Sequence, residues 1–398
     1  MRLLVVGGRL QGTEACYLAA EAGIETVLVD RCDDTPASGL AADVRVCDIT
    51  ADAADARSLV RSCDAVLPTC ENDATLAWLA AHVPAWDVPL VFGPAAYEVT
   101  SSKVRSNELF AALDLPRPLP WPRCGLPVVV KPSVGSGSQG VRVVPSEPAL
   151  ALVRAEMAAR GEEPVIEEYV PGPSLSLEVL GRAGEVAVLQ PTGLEFDEIY
   201  DCKRVIAPVG PVEGATKAAL SSFTALSARL GEALEVEGIM DVEVMVAGDQ
   251  PKVLEIDARL PSQTPATVFH SSDLNMVELL CSAFVDGRLP DCSWTARRGA
   301  VYQHVLIADG CVEVRGEHVV GSAGPLARQA GRWGAQVALV DAREGQSTWV
   351  AIIMTRGADL AEARAVADAA VQRLAGEHGL EVKPERGPSS APGDGPGR

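Results

Sequence analysis

The sequence predicts an open, largely parallel α/β unit over residues 1–95, followed by a region of α+β character. Two observations support the first part: short apolar runs recur at strand length, and stretches of helical character separate them. A third supports the second part. From residue 128 to 180 strand-like runs follow one another as in a small antiparallel sheet, and two more, split by a short turn within 239–256, read as a hairpin.

Taken in order, residues 3–6, 26–29, 44–47, 65–67 and 89–92 read as strands, and residues 14–22 as a helix between the first two. The first turn, Gly7-Gly8-Arg9-Leu10-Gln11-Gly12, lacks the Gly-x-Gly-x-x-Gly spacing that seats a dinucleotide pyrophosphate. It reads as a tight turn in a domain for a smaller ligand, although Asp30 ends the second strand where a ribose-binding acid would sit. Residues 97–121 read as a helical stretch containing Lys103, stopped by Pro116 and Pro118. Residues 128–131, 141–144, 165–170 and 175–180 are expected to form one small antiparallel sheet. A helix around 215–234 precedes a hairpin of residues 239–246 and 252–256, turning at Ala247-Gly248-Asp249-Gln250. A helix near 276–284, several strands between 300 and 354 and a final amphipathic helix around 360–374 follow. Residues 387–398, rich in Gly, Pro, Ser and Asp, are expected to be a disordered, dispensable tail. The expected divisions are 1–95, 96–180, 181–386 and 387–398.

Composition narrows the function. The chain of 398 residues has 47% apolar and 22% charged residues and no apolar run near the ~20 that span a bilayer, so no membrane role is expected. A net charge of −20 argues against nucleic acid or an anionic surface as partner. The partners expected are small molecules; the oligomeric state is not fixed. Ten cysteines without a Cys-x-x-Cys pair, and only five histidines, fit reduced thiols in a cytoplasmic protein better than disulfides or zinc.

Two clusters carry chemistry. Lys131 ends a strand before the loop Pro132-Ser133-Val134-Gly135-Ser136-Gly137-Ser138-Gln139-Gly140, whose glycines let backbone N–H groups approach phosphate oxygens while the lysine supplies charge. A flexible hairpin tip with an incidental lysine would read the same way. The second cluster places Asp241 and Glu243 on one strand of the hairpin and Glu255 and Asp257 on the other. Two-residue spacing puts each pair on one face of the sheet. Converging carboxylates call for a hard cation such as Mg²⁺, unless they form a solvated acidic face. Val242, Val244, Val253, Leu254 and Ile256 give the opposite face a core to pack on.

In order along the chain, these segments resemble the ATP-grasp superfamily. The Lys103 segment up to Leu115-Pro116-Arg117-Pro118, the Lys131 loop, Glu167-Glu168-Tyr169-Val170-Pro171-Gly172 and the acids Asp241, Glu255 and Asp257 cover residues 97–285. The resemblance implies an ATP-grasp fold with an N-terminal parallel α/β domain, a small antiparallel lid and a C-terminal mixed domain. It implies ATP as cosubstrate and two Mg²⁺ ions held by Asp241, Glu255 and Asp257. Lys103, Lys131, Ser136, Ser138, Glu167, Glu168 and Val170 would bind ATP, with Lys131 and Arg259 acting in catalysis.

Within the superfamily the chain resembles the 3-methylornithine–lysine ligases of pyrrolysine biosynthesis. The match rests on residues 7–12, Glu198-Ile199-Tyr200-Asp201-Cys202, Gly238 to Glu243, and Glu255 to Pro265. It implies that Leu10, Gln11, Glu71, Glu178, Asp201, Arg259, Ser262, Gln263 and Thr264 bind the amino acids. An ornithine-type carboxylate would be phosphorylated by ATP and then attacked by the ε-amine of lysine. An ATP-grasp ligase or carboxylase for other substrates, or a non-catalytic nucleotide or amino-acid sensor, are the alternatives. The segment after the hinge lacks a ribose-gripping glutamate, the lid is unusually rich in glycine, and Glu195 puts a charge in the expected substrate loop.

Overall fold

The computed structural model describes residues 1–135, 137, 140–341 and 346–387; Ser136, Ser138 and the segment 388–398 lie outside the described residues. The N-terminal sheet is parallel throughout, in the order Asp43–Val46, Glu25–Asp30, Arg2–Val6, Ala65–Pro68. Alternation along its strands divides the core. Leu3, Val5 and Leu28 face the helix Leu10–Glu21, whereas Leu4, Val6, Val27 and Val29 face Leu76, Leu79 and Trp86 on the other side. Both faces are covered, so these strands are uniformly apolar. Residues 89–92, expected as a fifth strand, make a single bridge, Leu90 to Val66. Pro89 has no N–H to donate, and Pro94 opens the next helix, Pro94–Thr100.

The helical stretch expected over 97–121 is two helices. Pro94–Thr100 ends at Ser101, and Ser102 caps Lys103–Ala112 by accepting the Arg105 N–H. Three strands, in the order Arg142–Val144, Val128–Pro132, Pro164–Glu168, then form a separate antiparallel sheet. The helix Glu147–Ala159, absent from the sequence expectation, packs Leu150 and Met157 against its Val128 and Val130.

The segment expected at 175–180 does not join that small sheet. Ser174–Arg182 pairs with Gly238–Ala247 inside a twelve-stranded sheet. Residues 174–181 are all buried, so this strand needs neighbours on both edges and both faces. The expected division at 180 falls inside it. The hairpin is present as Gly238–Ala247 and Gln250–Asp257. Its second strand forms one edge of the large sheet, and the helix Lys217–Ala233 packs Phe223 and Leu230 against Val242, Val244 and Val253. After the hairpin, the helix Thr264–Ser272 starts at Gln263, whose φ is +71°. All ten cysteines are unpaired, and among the described residues no helix is long and apolar enough to cross a membrane.

Candidate active site

Pairing register explains why five carboxylates meet. On adjacent antiparallel strands Asp241 lies opposite both Glu178 and Asp257, and Glu243 lies opposite both Ser176 and Glu255. Two rows of acids therefore share one face of three strands, at the few-ångström spacing of cross-strand neighbours. Burial and mutual repulsion act together. Asp241 is pushed well above the ordinary carboxylate range by burial and then by Glu178, and Glu243 likewise by burial and then by Asp241. Asp257 is raised by burial although Arg259 opposes the shift. The Thr264 hydroxyl donates to Glu178, but burial still pushes Glu178 up to about 8, and its second oxygen is buried without a partner among the described residues.

Such a cluster either binds protons or binds a cation. The donors are all carboxylate oxygens, flexible in denticity and backed by an apolar layer, which suits Mg²⁺. The residue types thus suit the ion that the sequence implies, although the oxygens of Asp241, Glu255 and Asp257 do not all lie within reach of one another. Glu243 belongs to the acid set as closely as Asp241, although the sequence expectation left it out of the metal ligands.

Two lysines border the acids. Lys103 Nζ lies 2.7 Å from Glu255 Oε1 and donates to the Gly135 carbonyl of the lid loop at 2.6 Å. Lys131 Nζ lies 2.6 Å from Glu167 Oε1, with both side chains almost wholly buried, and also donates to the Leu254 carbonyl at 3.2 Å. Burial would lower the Lys131 pKa, but Glu167, Glu255 and Glu243 outweigh it and hold the ammonium charged. Glu168 does not point freely into a ligand site: it binds Lys252 Nζ at 2.7 and 2.8 Å and caps the Leu119 N–H at 3.1 Å. Val170 is buried beside it.

Arg259 joins the acids to the N-terminal domain. Its Nε donates to Asp257 at 2.9 Å, its Nη1 lies 3.2 Å from Glu71 Oε1, and the guanidinium stands 5.5 Å from the Tyr97 ring centre. The Gln11 amide also donates to Glu71, at 2.9 Å. These groups border a cavity of about 860 Å³ between the N-terminal sheet and the large sheet. Leu10, Gln11, Glu71, Asp201, Ser262, Gln263 and Thr264 line it together with Asp241, Glu255 and Asp257. Lys103, Lys131, Glu167, Glu168, Val170, Glu178 and Arg259 lie around rather than on that wall.

Three further residues of this wall lie outside the expected site set, and of them only Asp30 was noted in the sequence, as the acid that ends the second strand. Asp30 accepts the Gly8 N–H at 2.8 Å and so fixes the first turn from its side chain. Glu317, pushed up to about 7 by burial, accepts from Ser262 Oγ at 2.9 Å and Gln263 Nε2 at 2.6 Å. His318 follows it. Local sequence carries no signal for the last two, because they reach the site from 54 residues or more beyond the loop they hold. Glu195, expected in the substrate loop, faces away. Alternation on Thr192–Phe196 turns Leu194 and Phe196 to the cavity and Glu195 to Arg204, at 2.9 Å, and Arg364.

Comparison with known proteins accords with this layout. The ATP-grasp domain family matches residues 100–263. The chain is 34% identical to the 3-methyl-D-ornithine–L-lysine ligase of Methanosarcina barkeri, over 80% of this chain and 83% of that protein. In fold it is similar to the biotin carboxylase of Campylobacter jejuni, with a TM-score of 0.71, 16% identity and coverage of 93% and 91% of the two chains. It is also similar to the L-amino acid ligase of Bacillus licheniformis, with a TM-score of 0.67, 16% identity and coverage of 92% and 97%.

Proposed function

The chain belongs to the ATP-grasp carboxylate–amine ligases, in the family of the 3-methyl-D-ornithine–L-lysine ligases, and on that premise we propose that it performs their ligation in pyrrolysine biosynthesis. An ornithine-type carboxylate attacks the γ-phosphate of ATP, and the ε-amine of lysine then displaces phosphate from the acyl phosphate. The observation that carries this reading is the position of Arg259, whose guanidinium binds Asp257 on one side and Glu71 on the other. A single fixed cation thus connects the acids of phosphoryl transfer to the amino-acid cavity.

The chain's own groups divide the work. Arg259 and the Ser262–Gln263–Thr264 loop would bind the carboxylate to be activated and stabilise charge on the tetrahedral intermediate. Glu71 and Gln11 would receive the ammonium of the amine donor, since a carboxylate there repels a second acid. Lys103 and Lys131 would exchange Glu255 and Glu167 for phosphate oxygens. Because Lys103 also holds the Gly135 carbonyl, that exchange couples nucleotide binding to the lid loop. Two Mg²⁺ ions, held by Asp241, Glu255 and Asp257, would neutralise the phosphates as charge moves to the leaving oxygen.

ADP release across a panel of amino-acid pairs, with each product weighed, tests this assignment. Turnover should require an ornithine-type acid together with lysine, and Glu71→Ala should raise the KM for lysine far more than that for ATP. Preference for a different pair would leave the acyl-phosphate chemistry in place and reassign the substrates.

A further inference from the structure

Attack on an acyl phosphate needs a neutral amine, and a lysine ε-ammonium with a pKa of about 10.4 is almost fully protonated at neutral pH. The ligation proposed above therefore needs a base near the amine. On that reading the acids of the hairpin would be engaged by the cation and the phosphates. Glu317 holds Ser262 and Gln263 through Oε2, so taking a proton there would loosen the substrate loop.

One further pair borders the cavity. The ring Nδ1 of His318 forms a hydrogen bond with Asp201 Oδ2, which also accepts the His318 backbone N–H at 3.1 Å. Asp201 is only 4% exposed, and its Oδ1 has no partner among the described residues, so the side chain's hydrogen bonds go to His318. The loop that carries it is pinned by Asp197, which accepts the N–H groups of Ile199, Asp201 and Gly316 at 3.0, 3.1 and 3.1 Å. Residue 316 must be glycine for this approach, because a Cβ there would stand 2.1 Å from Asp201 Oδ2. The His318 side chain is half exposed and lines the cavity. With Nδ1 held as the donor, Nε2 is left as the basic nitrogen.

We infer that His318, oriented by Asp201, is the general base that deprotonates the amine donor. Nε2 takes one proton from the ammonium, and the freed lone pair attacks the acyl carbon. The C–N bond forms, the C–O bond to phosphate breaks, and the second amine proton leaves with hydrogen phosphate. The buried Asp201 carboxylate stabilises the imidazolium until it passes its proton to solvent. In this account Asp201 acts as a positioning residue rather than as a substrate ligand. The inference rests on the ligase reading.

Hydroxylamine separates the two claims, because it is largely unprotonated at neutral pH and captures the acyl phosphate without a base. Wild-type protein should form both the lysine conjugate and the hydroxamate. His318→Gln should lose roughly 10²-fold in kcat for lysine, with little change in the KM for lysine, and should form hydroxamate at the wild-type rate. Asp201→Asn should show the same split between kcat and KM. Undiminished lysine ligation in His318→Gln would overturn the inference, as would a parallel loss of hydroxamate, which would mark a structural role. If wild-type protein forms neither product, the ligase reading fails and this inference falls with it.

Discussion

Replacing Glu255 by Gln separates catalysis from stability. The carboxylate is paired with Lys103 at 2.7 Å, with the two side chains 32% and 10% exposed. After solvent screening, losing such a pair costs at most about 1 kcal/mol. The same carboxylate raises the proton affinity of Asp241, Glu243 and Asp257 by repulsion, so its removal relieves those neighbours. The two effects oppose each other, and the ligand-free melting temperature should move by no more than roughly 2 °C. Activity should not be spared. Loss of a preorganised charge at the transferring phosphoryl group predicts a fall of at least ~10²-fold in ADP release. Thermal melts with and without Mg-ATP complete the test. At a hundred times its Kd the ligand should stabilise wild-type protein by about 2.7 kcal/mol, and the variant should lose most of that shift. Turnover near wild type would refute the metal assignment. A large drop in the ligand-free melting temperature would show that Glu255 is structural.

Lys131→Met should both abolish ADP formation and destabilise the protein by about 3 kcal/mol, because it leaves Glu167 charged and buried; adding Glu167→Leu should restore the melting temperature but not the activity. Glu14 accepts the Ala266 N–H at 2.5 Å and is pushed up to about 8 by burial, against an ordinary value of 4.5. The folded state therefore keeps a proton that the unfolded chain has lost, and the stability this contributes declines as pH rises from 4.5 to 8. Glu14→Gln should flatten the fall of melting temperature across that range, and an unchanged slope would contradict the assignment. Glu195→Gln should lower the melting temperature by weakening its contacts with Arg204 and Arg364, while the KM for either amino acid stays within about twofold. A shift in amino-acid preference would return Glu195 to the cavity.

Features written in local pattern were legible in the sequence. Period-two spacing placed Asp241, Glu243, Glu255 and Asp257 on one face, and the hairpin register matches it. Lys131 at a strand end beside a glycine loop was equally local. What escaped depends on tertiary packing. Ser174–Arg182 reads the same in a lid as at the centre of a large sheet, and only its neighbours decide. Glu195 and Leu194 are adjacent in sequence and opposite in space, so a position in a substrate loop does not tell which face a residue serves. Glu14, Glu317 and His318 acquire meaning from contacts across 252, 54 and 117 residues. No spacing rule reaches that far.

The central claim is that the activated carboxylate becomes an acyl phosphate before the amine arrives. Oxygen-18 in the carboxylate of the ornithine-type substrate tests it directly: displacement of phosphate should carry one labelled oxygen into the released inorganic phosphate, with ADP as the other product. Unlabelled phosphate, or label recovered in AMP, would contradict the account.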